Sequence, residues 1–299
     1  MLTSYIISLN KPIELLEEIK KYNLNPVLVE GINGKKLCKE EIKKNTNSFY
    51  YNFGPKSAIG CAMSHIKTWK IFLETKDDLC IIFEDDVIFE KRFKYLNKYI
   101  SNTPSDFDIL LLGCLFCDNE FITNIKVNRY INIPSITAGL HAYVLSKSGA
   151  RKLLSIIENK INNHIDVIIF KLYCQGKINL YMLSNRIAYQ TSTNTCNSQN
   201  VSTYPFILNK FFSLFEIDKM VRFNYITSVH FLRIFDFNIS VITVLFLILG
   251  IIFKINKLGI SKITLFFFII SSIDILKFKN LNNILFHYFI LLFPTILIN

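Results

Sequence analysis

The chain has 299 residues, carries a formal net charge of +11 and is 51% hydrophobic, with a mean hydropathy of +0.32. The positive charge suits an anionic partner such as a membrane face or a nucleotide-linked substrate. The lysines are dispersed, and no basic block is interleaved with aromatic side chains. A nucleic-acid-binding strip would need such a block, so we expect no nucleic-acid partner.

Alternating strand and helix patterns fill the first part of the chain. In chain order, the predicted strands are TSYIISL, NPVLVEGING, DDLCIIF, FDILLLG, TAGLHAYVLS and INLYMLSNRIAYQ. The predicted helices are IELLEEIKKYN, GPKSAIGCAMSHIKTWKIFLET, KSGARKLLSII and HIDVIIFKLYCQG. This alternation predicts an α/β domain with a mainly parallel, two-sided sheet. In such sheets ligands bind beyond the carboxyl ends of the strands.

The hydrophobic surplus lies in the last part of the chain, so we predict one domain over residues 1–236 and a helical tail over 237–299. Phe237 to Phe253 and Leu281 to Asn299 contain no charged residue, and Ile263 to Ile273 is a shorter apolar run. About 17–20 apolar residues is the lower limit for a membrane span. We therefore expect a membrane-associated tail that either crosses the bilayer or lies in its interface. The alternative is a helical subdomain that completes the soluble core.

Two features predict that the first domain is on the cytosolic side of the membrane. The N-terminus MLTSYIISLNKP reads as a strand rather than as a charged segment followed by a long apolar one, so we expect no secretory signal. The seven cysteines are odd in number and scattered, which favours a reducing compartment over a disulfide framework. The close pair Cys114 and Cys117 lacks neighbouring histidines, which favours buried thiols over a zinc or redox site.

Three consecutive carboxylates, Glu84, Asp85 and Asp86, follow the third predicted strand. Alternate side chains of a strand share a face, so Glu84 and Asp86 are expected to project together while Asp85 points away. Two carboxylates on one face can hold a hard divalent cation, which would cancel their mutual repulsion. The alternative is a solvated acidic turn, to which a lysine such as Lys91 could contribute.

The segments around these acids resemble glycosyltransferase family 25, the lipopolysaccharide and lipooligosaccharide galactosyltransferase-like family. AIGCAMSHIKTWKIF followed by LCIIFEDDVIFE carries the resemblance, and YIISL, VEGINGKKL, AGLHAYVLSKSGARKLL, HIDVIIF and AYQTSTN fall in the family's order. The resemblance implies a GT-A-like, Rossmann-related nucleotide-sugar fold. It also implies an inverting transfer of a sugar, usually galactose from UDP-galactose, to a glycan acceptor such as lipooligosaccharide.

The resemblance also implies roles for single residues. Glu84-Asp85-Asp86 takes the part of a DxD motif, in which Asp86 would bind Mn²⁺ or another divalent cation and Glu84 would act through the ribose or a metal-bound water. The metal would stabilise the charge on the departing UDP. Further positions expected to contact the donor are Ser8, Asn10, Lys11, Gly34, Ser64, Asp85 and Gln190. The family often has Arg just after the first strand, where Lys11 offers only a point charge.

An inverting transfer needs a base that deprotonates the acceptor hydroxyl, and the candidates are Asp166 and His65. Asp166 precedes an apolar helical run, so a helix cap is its alternative role. His65 lies on a predicted helix directly after Ser64, where a hydrogen-bonded structural histidine is the alternative. For the whole chain, the alternative from another class is a non-catalytic, membrane-anchored protein that binds nucleotides or a partner with a degenerate transferase fold.

Overall fold

The computed structural model describes residues 2–115, 123–157, 160–190, 205–214, 229–277 and 281–297. The chain divides into two compact units, Met1–Asn194 and Thr195–Asn299. The boundary predicted near Asp236 therefore lies inside the second unit rather than at its start. Each unit is described by itself below.

The first unit is built on a mixed β-sheet. Its strands are β1 (Leu2–Ser8), β2 (Leu24–Glu30), β3 (Leu79–Glu84), β4 (Val87–Phe89), β5 (Ile109–Gly113), β6 (Ile125–Lys126), β7 (Ile131–Ile133), β8 (Ala142–Ser146), β9 (Leu180–Leu183) and β10 (Ala188–Gln190). Eight of them form one sheet in the order β2-β1-β3-β8-β5-β9-β7-β6, and β4 pairs with β10 separately. The last predicted strand is therefore divided into β9 and β10.

Strand direction determines which side chains meet at the edge of the sheet. The pairs β1–β2, β1–β3 and β5–β9 are parallel, whereas β8 is antiparallel to both β3 and β5. The α/β class is confirmed, but the sheet is mixed, because β8 is reversed and β7 is antiparallel to both β9 and β6. Because β8 runs the other way, its amino end meets the carboxyl ends of β1 and β3. Ser8, Glu84 and His141 consequently lie at one edge.

Helices cover both faces of this sheet. They are α1 (Ile13–Lys20), α2 (Lys39–Asn45), α3 (Ser48–Phe53), α4 (Lys56–Leu73), α5 (Leu96–Ser101), α6 (Lys147–Ile157) and α7 (Ile165–Cys174), and α1, α4, α6 and α7 confirm the four predicted helices. Alternate residues of β3 enter different cores: Ile82 packs in the core that holds Trp69 of α4, and Ile81 packs in the core that holds Leu15 of α1. The unit therefore has three layers, helix on sheet on helix.

The second unit is mainly helical. Its elements are α8 (Phe206–Leu214), β11 (Leu232–Ile234), β12 (Phe237–Ile239), α9 (Val241–Ile255), α10 (Ile260–Leu276) and α11 (Leu281–Leu297). Phe246, Phe267 and Leu291 contribute to its core, one from each of the last three helices. No helix among the described residues is both long enough and apolar enough to cross a membrane. The predicted membrane-crossing tail therefore has no support in the structure.

The cysteines do not all match the expectation of free thiols. Cys38, Cys61, Cys80 and Cys174 are free, but Cys114 is disulfide-bonded, so the prediction of a buried thiol is wrong at that position. Spacing along the chain does not by itself reveal the oxidation state of a sulfur atom. Cys117 and Cys196 lie outside the described residues.

Candidate active site

The candidate site lies at the sheet edge where the parallel strands β1 and β3 end. Ser8 is the last residue of β1 and Glu84 the last of β3. Asp85 and Asp86 form the turn that follows. The Ser8 hydroxyl donates to Oδ2 of Asp85, and the backbone N–H of Asn10 donates to the Ser8 oxygen at 3.1 Å. Asp85 is therefore held towards the end of β1.

Both carboxylate oxygens of Glu84 lie next to polar side chains from other elements. Oε1 is 3.2 Å from Nε2 of His65 on α4, and Oε2 accepts a hydrogen bond from Nε2 of Gln190 at 3.3 Å. Gln190 reaches this position because β10 pairs with β4, where Gln190 stands opposite Val87. The fold thus brings together three of the predicted site residues.

Glu84 has a pKa below its usual range. Burial acts to raise the pKa of this carboxyl, but the hydrogen bond from His65, together with weaker electrostatic interactions with His65 and His141, outweighs it. The side chain is consequently an ionised hydrogen-bond acceptor at neutral pH.

His65 is fully buried and is held from behind by two aromatic residues. Its Nδ1 lies 2.9 Å from the Tyr143 hydroxyl, to which the indole N–H of Trp69 donates at 2.8 Å. Because an indole can only donate, the Tyr143 oxygen accepts from Trp69, and its own hydrogen is available for Nδ1. This arrangement, assigned from the network, places the ring proton on Nε2, which donates to Glu84.

Tyr143 and Trp69 were not identified from the sequence as site residues. The spacing of four residues between His65 and Trp69 on one helix was a usable signal, because it places both on the same face. Tyr143 lies in an apolar strand, and nothing local indicated that its hydroxyl would face a histidine. His65, with both ring nitrogens engaged, is suited to orienting Glu84.

The loop after β2 packs closely on the start of α4. The backbone N–H of Ile32 donates to the Ser64 hydroxyl oxygen at 2.8 Å, and Ser64 donates to the carbonyl of Gly60 at 2.7 Å. A Cβ atom on Gly34 would lie 1.7 Å from the carbonyl oxygen of Lys56, so no larger residue fits there. Ser64 and Gly34 therefore join the loop to the helix, and a direct donor contact by either stays a prediction.

Asn10 and Lys11 are exposed just beyond β1. They lie at the same edge of the sheet as Ser8, because β1 ends there. Their predicted contacts with the donor stay predictions.

Asp166 lies in the first turn of α7, and two backbone groups orient its carboxylate. Oδ2 accepts from the N–H of Gly139 at 2.9 Å, and Oδ1 accepts from the N–H of Val167 at 2.8 Å. His164 occupies the N-cap position of α7, but the bond to Val167 satisfies a backbone N–H of the first turn, so the capping role of Asp166 stands beside its predicted role as the base. Gly139 has a φ of +88°, a backbone conformation that other residues rarely adopt.

The pKa of the Cys61 thiol reflects the negative charge around the site. Burial raises the pKa of its thiol well above the usual range, and the carboxylates of Glu84, Asp166 and Asp86 raise it further. The three acids therefore lie close enough to one thiol to act on it electrostatically. The thiol stays protonated beside this concentration of negative charge.

A divalent cation fits part of this set of side chains. Ligand atoms of Cys61, His65 and Glu84 lie within 4.8 Å of one another. This trio is a poor match for Mn²⁺, because the thiol is protonated and both nitrogens of His65 are engaged. The carboxylates of Glu84 and Asp86 are the hard oxygen donors that such an ion prefers. These residues therefore fit an ion that takes its remaining ligands from water and phosphate.

The fold and the site together define a class. An α/β sheet with ordered carboxylates at its edge, and another carboxylate at a helix start beside them, fits a Rossmann-like glycosyltransferase. The family model described as "Glycosyltransferase family 25 (LPS biosynthesis protein)" matches residues 1–169. This is more than half of the chain, and the chain belongs to glycosyltransferase family 25, as the sequence motifs predicted.

Part of the chain is similar in sequence to two other proteins. A Haemophilus influenzae protein named "Putative glycosyltransferase" is 28% identical over 123 residues, which are 40% of this chain and 43% of that protein. A Bos taurus protein named "Probable inactive glycosyltransferase 25 family member 3" is 30% identical over 104 residues, 33% of this chain and 18% of the bovine protein. The chain spans less than half the length of either relative. The two names differ on activity.

Proposed function

We propose that the chain is a metal-dependent, inverting glycosyltransferase. It moves a sugar from a UDP-sugar, with UDP-galactose as the first candidate, onto a lipid-linked or cell-surface glycan such as lipooligosaccharide. The observation that carries this proposal is the ionised Glu84 carboxylate, oriented by His65 and Gln190 next to Asp86. A partly buried, ionised carboxylate lowers the stability of a fold unless it is well paired. The presence of Glu84 at the sheet edge therefore favours a ligand-binding role.

The chain's own residues divide the work of a single displacement. The acceptor oxygen forms a bond to the anomeric carbon as the bond from that carbon to the UDP oxygen breaks, which inverts the configuration. Asp166 is the base that takes the proton of the acceptor hydroxyl. The N–H groups of Gly139 and Val167 hold its carboxylate in a fixed orientation for this role. His65 is a positioning residue that keeps Glu84 oriented.

Glu84 and Asp86 would hold Mn²⁺ or another divalent cation through carboxylate oxygens. When bound, such an ion supplies positive charge against the diphosphate of the donor. Ser8 keeps the third acid, Asp85, at the end of β1, where the resemblance to the family expects a contact with the donor. Asp85 is thereby separated from Glu84 and Asp86, the two acids proposed to hold the cation.

We also propose that the second unit attaches the enzyme to a membrane surface, with the catalytic unit on the cytosolic side and near a bilayer-anchored acceptor. The support is the distribution of polarity. Polar groups lie inside, as in the 3.0 Å contact between Thr243 and His287 and in buried Asp274. Large apolar side chains lie outside, with Leu265 63% and Phe289 56% exposed. Exposed apolar surfaces of this kind mark contacts with lipid or protein.

Flotation with liposomes tests the attachment. We expect the full chain to float with vesicles that contain anionic lipid and to require detergent for extraction from cell membranes. A full chain that remains in buffer without detergent, and does not float, would contradict the attachment but not the transferase activity.

Donor turnover tests the enzyme. We would present the full chain with a panel of UDP-sugars in the presence of Mn²⁺ and, separately, of a chelator. Asp86→Asn removes one proposed ligand, and Asp78→Asn is the matched control at an exposed residue before β3. We expect one donor to be turned over only with Mn²⁺, and the rate to fall by at least about 100-fold in Asp86→Asn alone.

The alternative is a non-catalytic protein, which the bovine relative's name keeps open. That alternative predicts no turnover of any donor and the same UDP binding by Asp86→Asn as by the unaltered chain.

A further inference from the structure

Tyr50 is a buried tyrosine whose hydroxyl has no hydrogen-bond partner in the part of the chain that the structure describes. The residue lies on α3 and is 2% exposed. Among the residues that the structure describes, none offers a hydrogen bond to its hydroxyl oxygen. Leaving such a group unsatisfied costs about 1–3 kcal/mol. Tyr143 shows the usual arrangement, because its buried hydroxyl contacts both Trp69 and His65. The unsatisfied hydroxyl of Tyr50 therefore calls for an explanation.

Thr137 presents the same feature from another part of the fold. It lies in the loop between β7 and β8 and is 8% exposed. Within the described ranges, its hydroxyl oxygen also has no hydrogen-bond partner. Among the described residues of the first unit, two buried hydroxyls from separate elements thus have no hydrogen-bond partner.

The loop that carries Thr137 is fixed to the start of α7. Gly139, two residues after Thr137, donates its N–H to Oδ2 of Asp166 at 2.9 Å. The position of Thr137 is therefore tied to the carboxylate proposed as the base.

The segment that leads into α3 is fixed to the same region. The N–H of Asn47 donates to the carbonyl of Ile161 at 3.1 Å, and the N–H of Ile161 donates to the carbonyl of Asn45 at 3.1 Å. Ile161 lies four residues before α7, so these bonds bring Tyr50 beside the start of that helix. Burial raises the pKa of Tyr50, and the charge of Asp166 raises it further, in agreement with this placement.

We propose that Tyr50 and Thr137 bind the acceptor, and that their hydroxyls form hydrogen bonds with hydroxyl groups of the acceptor sugar beside Asp166. This inference rests on the proposed transferase function. A sugar suits the site because each of its hydroxyls both donates and accepts, as do the two protein hydroxyls. An anionic ligand group would be repelled by Asp166. Both protein oxygens are shielded from solvent, so the acceptor reaches them through a local movement of the loop after β7.

Tyr50→Phe separates a binding role from a structural one. Removing an unpartnered hydroxyl leaves no donor or acceptor behind, so we expect an unchanged or slightly higher melting temperature. We also expect the KM for the acceptor to rise about tenfold, since one hydrogen bond to the sugar is lost. Hydrolysis of the donor without acceptor should be unchanged. Thr137→Val should show the same changes as Tyr50→Phe. Tyr99→Phe is the matched control, because Tyr99 lies on α5 at the other face of the sheet.

The transfer assay uses lactose as the first of a panel of mono- and disaccharide acceptors, and its outcomes separate this inference from the proposed function. Normal transfer by the unaltered chain, with normal acceptor KM in both Tyr50→Phe and Thr137→Val, overturns the inference alone. A loss of donor hydrolysis in either variant would overturn the assignment to the acceptor. A chain that turns over no donor at all would sink the proposed function and this inference together.

Discussion

Nε2 of His65 and Oε1 of Glu84 lie 3.2 Å apart, although the two residues come from a helix and a strand end. Helix α4 places Nδ1 of His65 next to the Tyr143 hydroxyl, which fixes the orientation of the imidazole. Nε2 of the ring therefore donates a hydrogen bond to Glu84. This contact explains how a carboxylate at the end of a buried strand stays ionised. It also makes the orientation of Glu84 depend on Tyr143 and Trp69, which lie behind His65.

His65→Ala should therefore damage the site and the fold together. It removes a hydrogen bond to a charged group, which contributes about 2 kcal/mol. We expect a comparable loss of free energy of unfolding in urea and weaker binding of Mn²⁺. His65→Gln is the matched variant, because its amide N–H can take the place of Nε2–H. Equal stability of His65→Ala and the unaltered chain would refute the positioning role.

Tyr143→Phe tests the support behind His65. The substitution leaves the indole N–H of Trp69 buried without an acceptor, which costs about 1–3 kcal/mol. We expect the midpoint of urea denaturation to fall accordingly, whereas Tyr50→Phe, which removes an unpartnered hydroxyl, should not lower it. If both variants are equally stable, the hydrogen bonds assigned to Tyr143 are not formed.

Asp166→Asn tests the proposed base. The amide has only one acceptor oxygen for the two N–H groups of Gly139 and Val167, so stability should fall by about 1 kcal/mol. We expect kcat to fall by about 100-fold to 10,000-fold, with little change in the KM for the donor. A variant with normal kcat would assign the base to another group.

Gly34→Ala tests the contact between the loop after β2 and α4. The added Cβ would meet the carbonyl oxygen of Lys56 at 1.7 Å, so the backbone must shift, and we expect a loss of about 2 kcal/mol or more. Gly259→Ala is the control, because nothing lies within 4 Å of its Cβ and its φ is −68°. Thermal melting that shows equal stability for the two variants would contradict the close approach.

His287 should make the second unit sensitive to acid. Burial lowers the pKa of His287 to about 4, against a hydrogen bond to the carbonyl of Asn283 that acts to raise it. Because the folded pKa lies below the unfolded value of 6.5, only the unfolded chain binds the proton between these values. Stability is therefore complete above about pH 6.5 and falls as the pH drops towards 4, by up to about 3 kcal/mol.

Urea titrations at pH 7 and pH 4.5, with pulse-labelling mass spectrometry of residues 281–297, measure this effect. His287→Gln cannot titrate and should show a smaller loss between the two pH values, since the contribution of this imidazole is removed. The same pH dependence in both proteins would show that folding does not lower the pKa of His287.

Much of the first unit could be predicted from local patterns. The apolar run ending at Glu84 and the helical spacing from Ala62 to Trp69 are local information, and both elements form as expected. The reversed direction of β8 and the pairing of β10 with β4 could not be predicted, because they depend on the order of strands in the sheet. Gln190 reaches Glu84 only through that pairing.

The site was predicted less completely than the fold. The acidic motif indicated Glu84 and Asp86 as candidates, but Tyr143 and Gly139 could not be predicted, because each contacts a residue of a distant segment. In the second unit the apolar runs indicated hydrophobicity but not where helices end. The chain breaks helical structure after Ile255 and after Leu276, which leaves helices of 15 and 17 residues.

Binding of Mn²⁺ in the presence of UDP, followed by electron paramagnetic resonance, tests the central claim most directly. We expect the unaltered chain and Asp78→Asn to take up the ion, and Asp86→Asn to bind it at least about tenfold more weakly, because a carboxylate ligand is lost. Equal uptake of Mn²⁺ by all three proteins would contradict the claim that the acidic pair after β3 holds the cation.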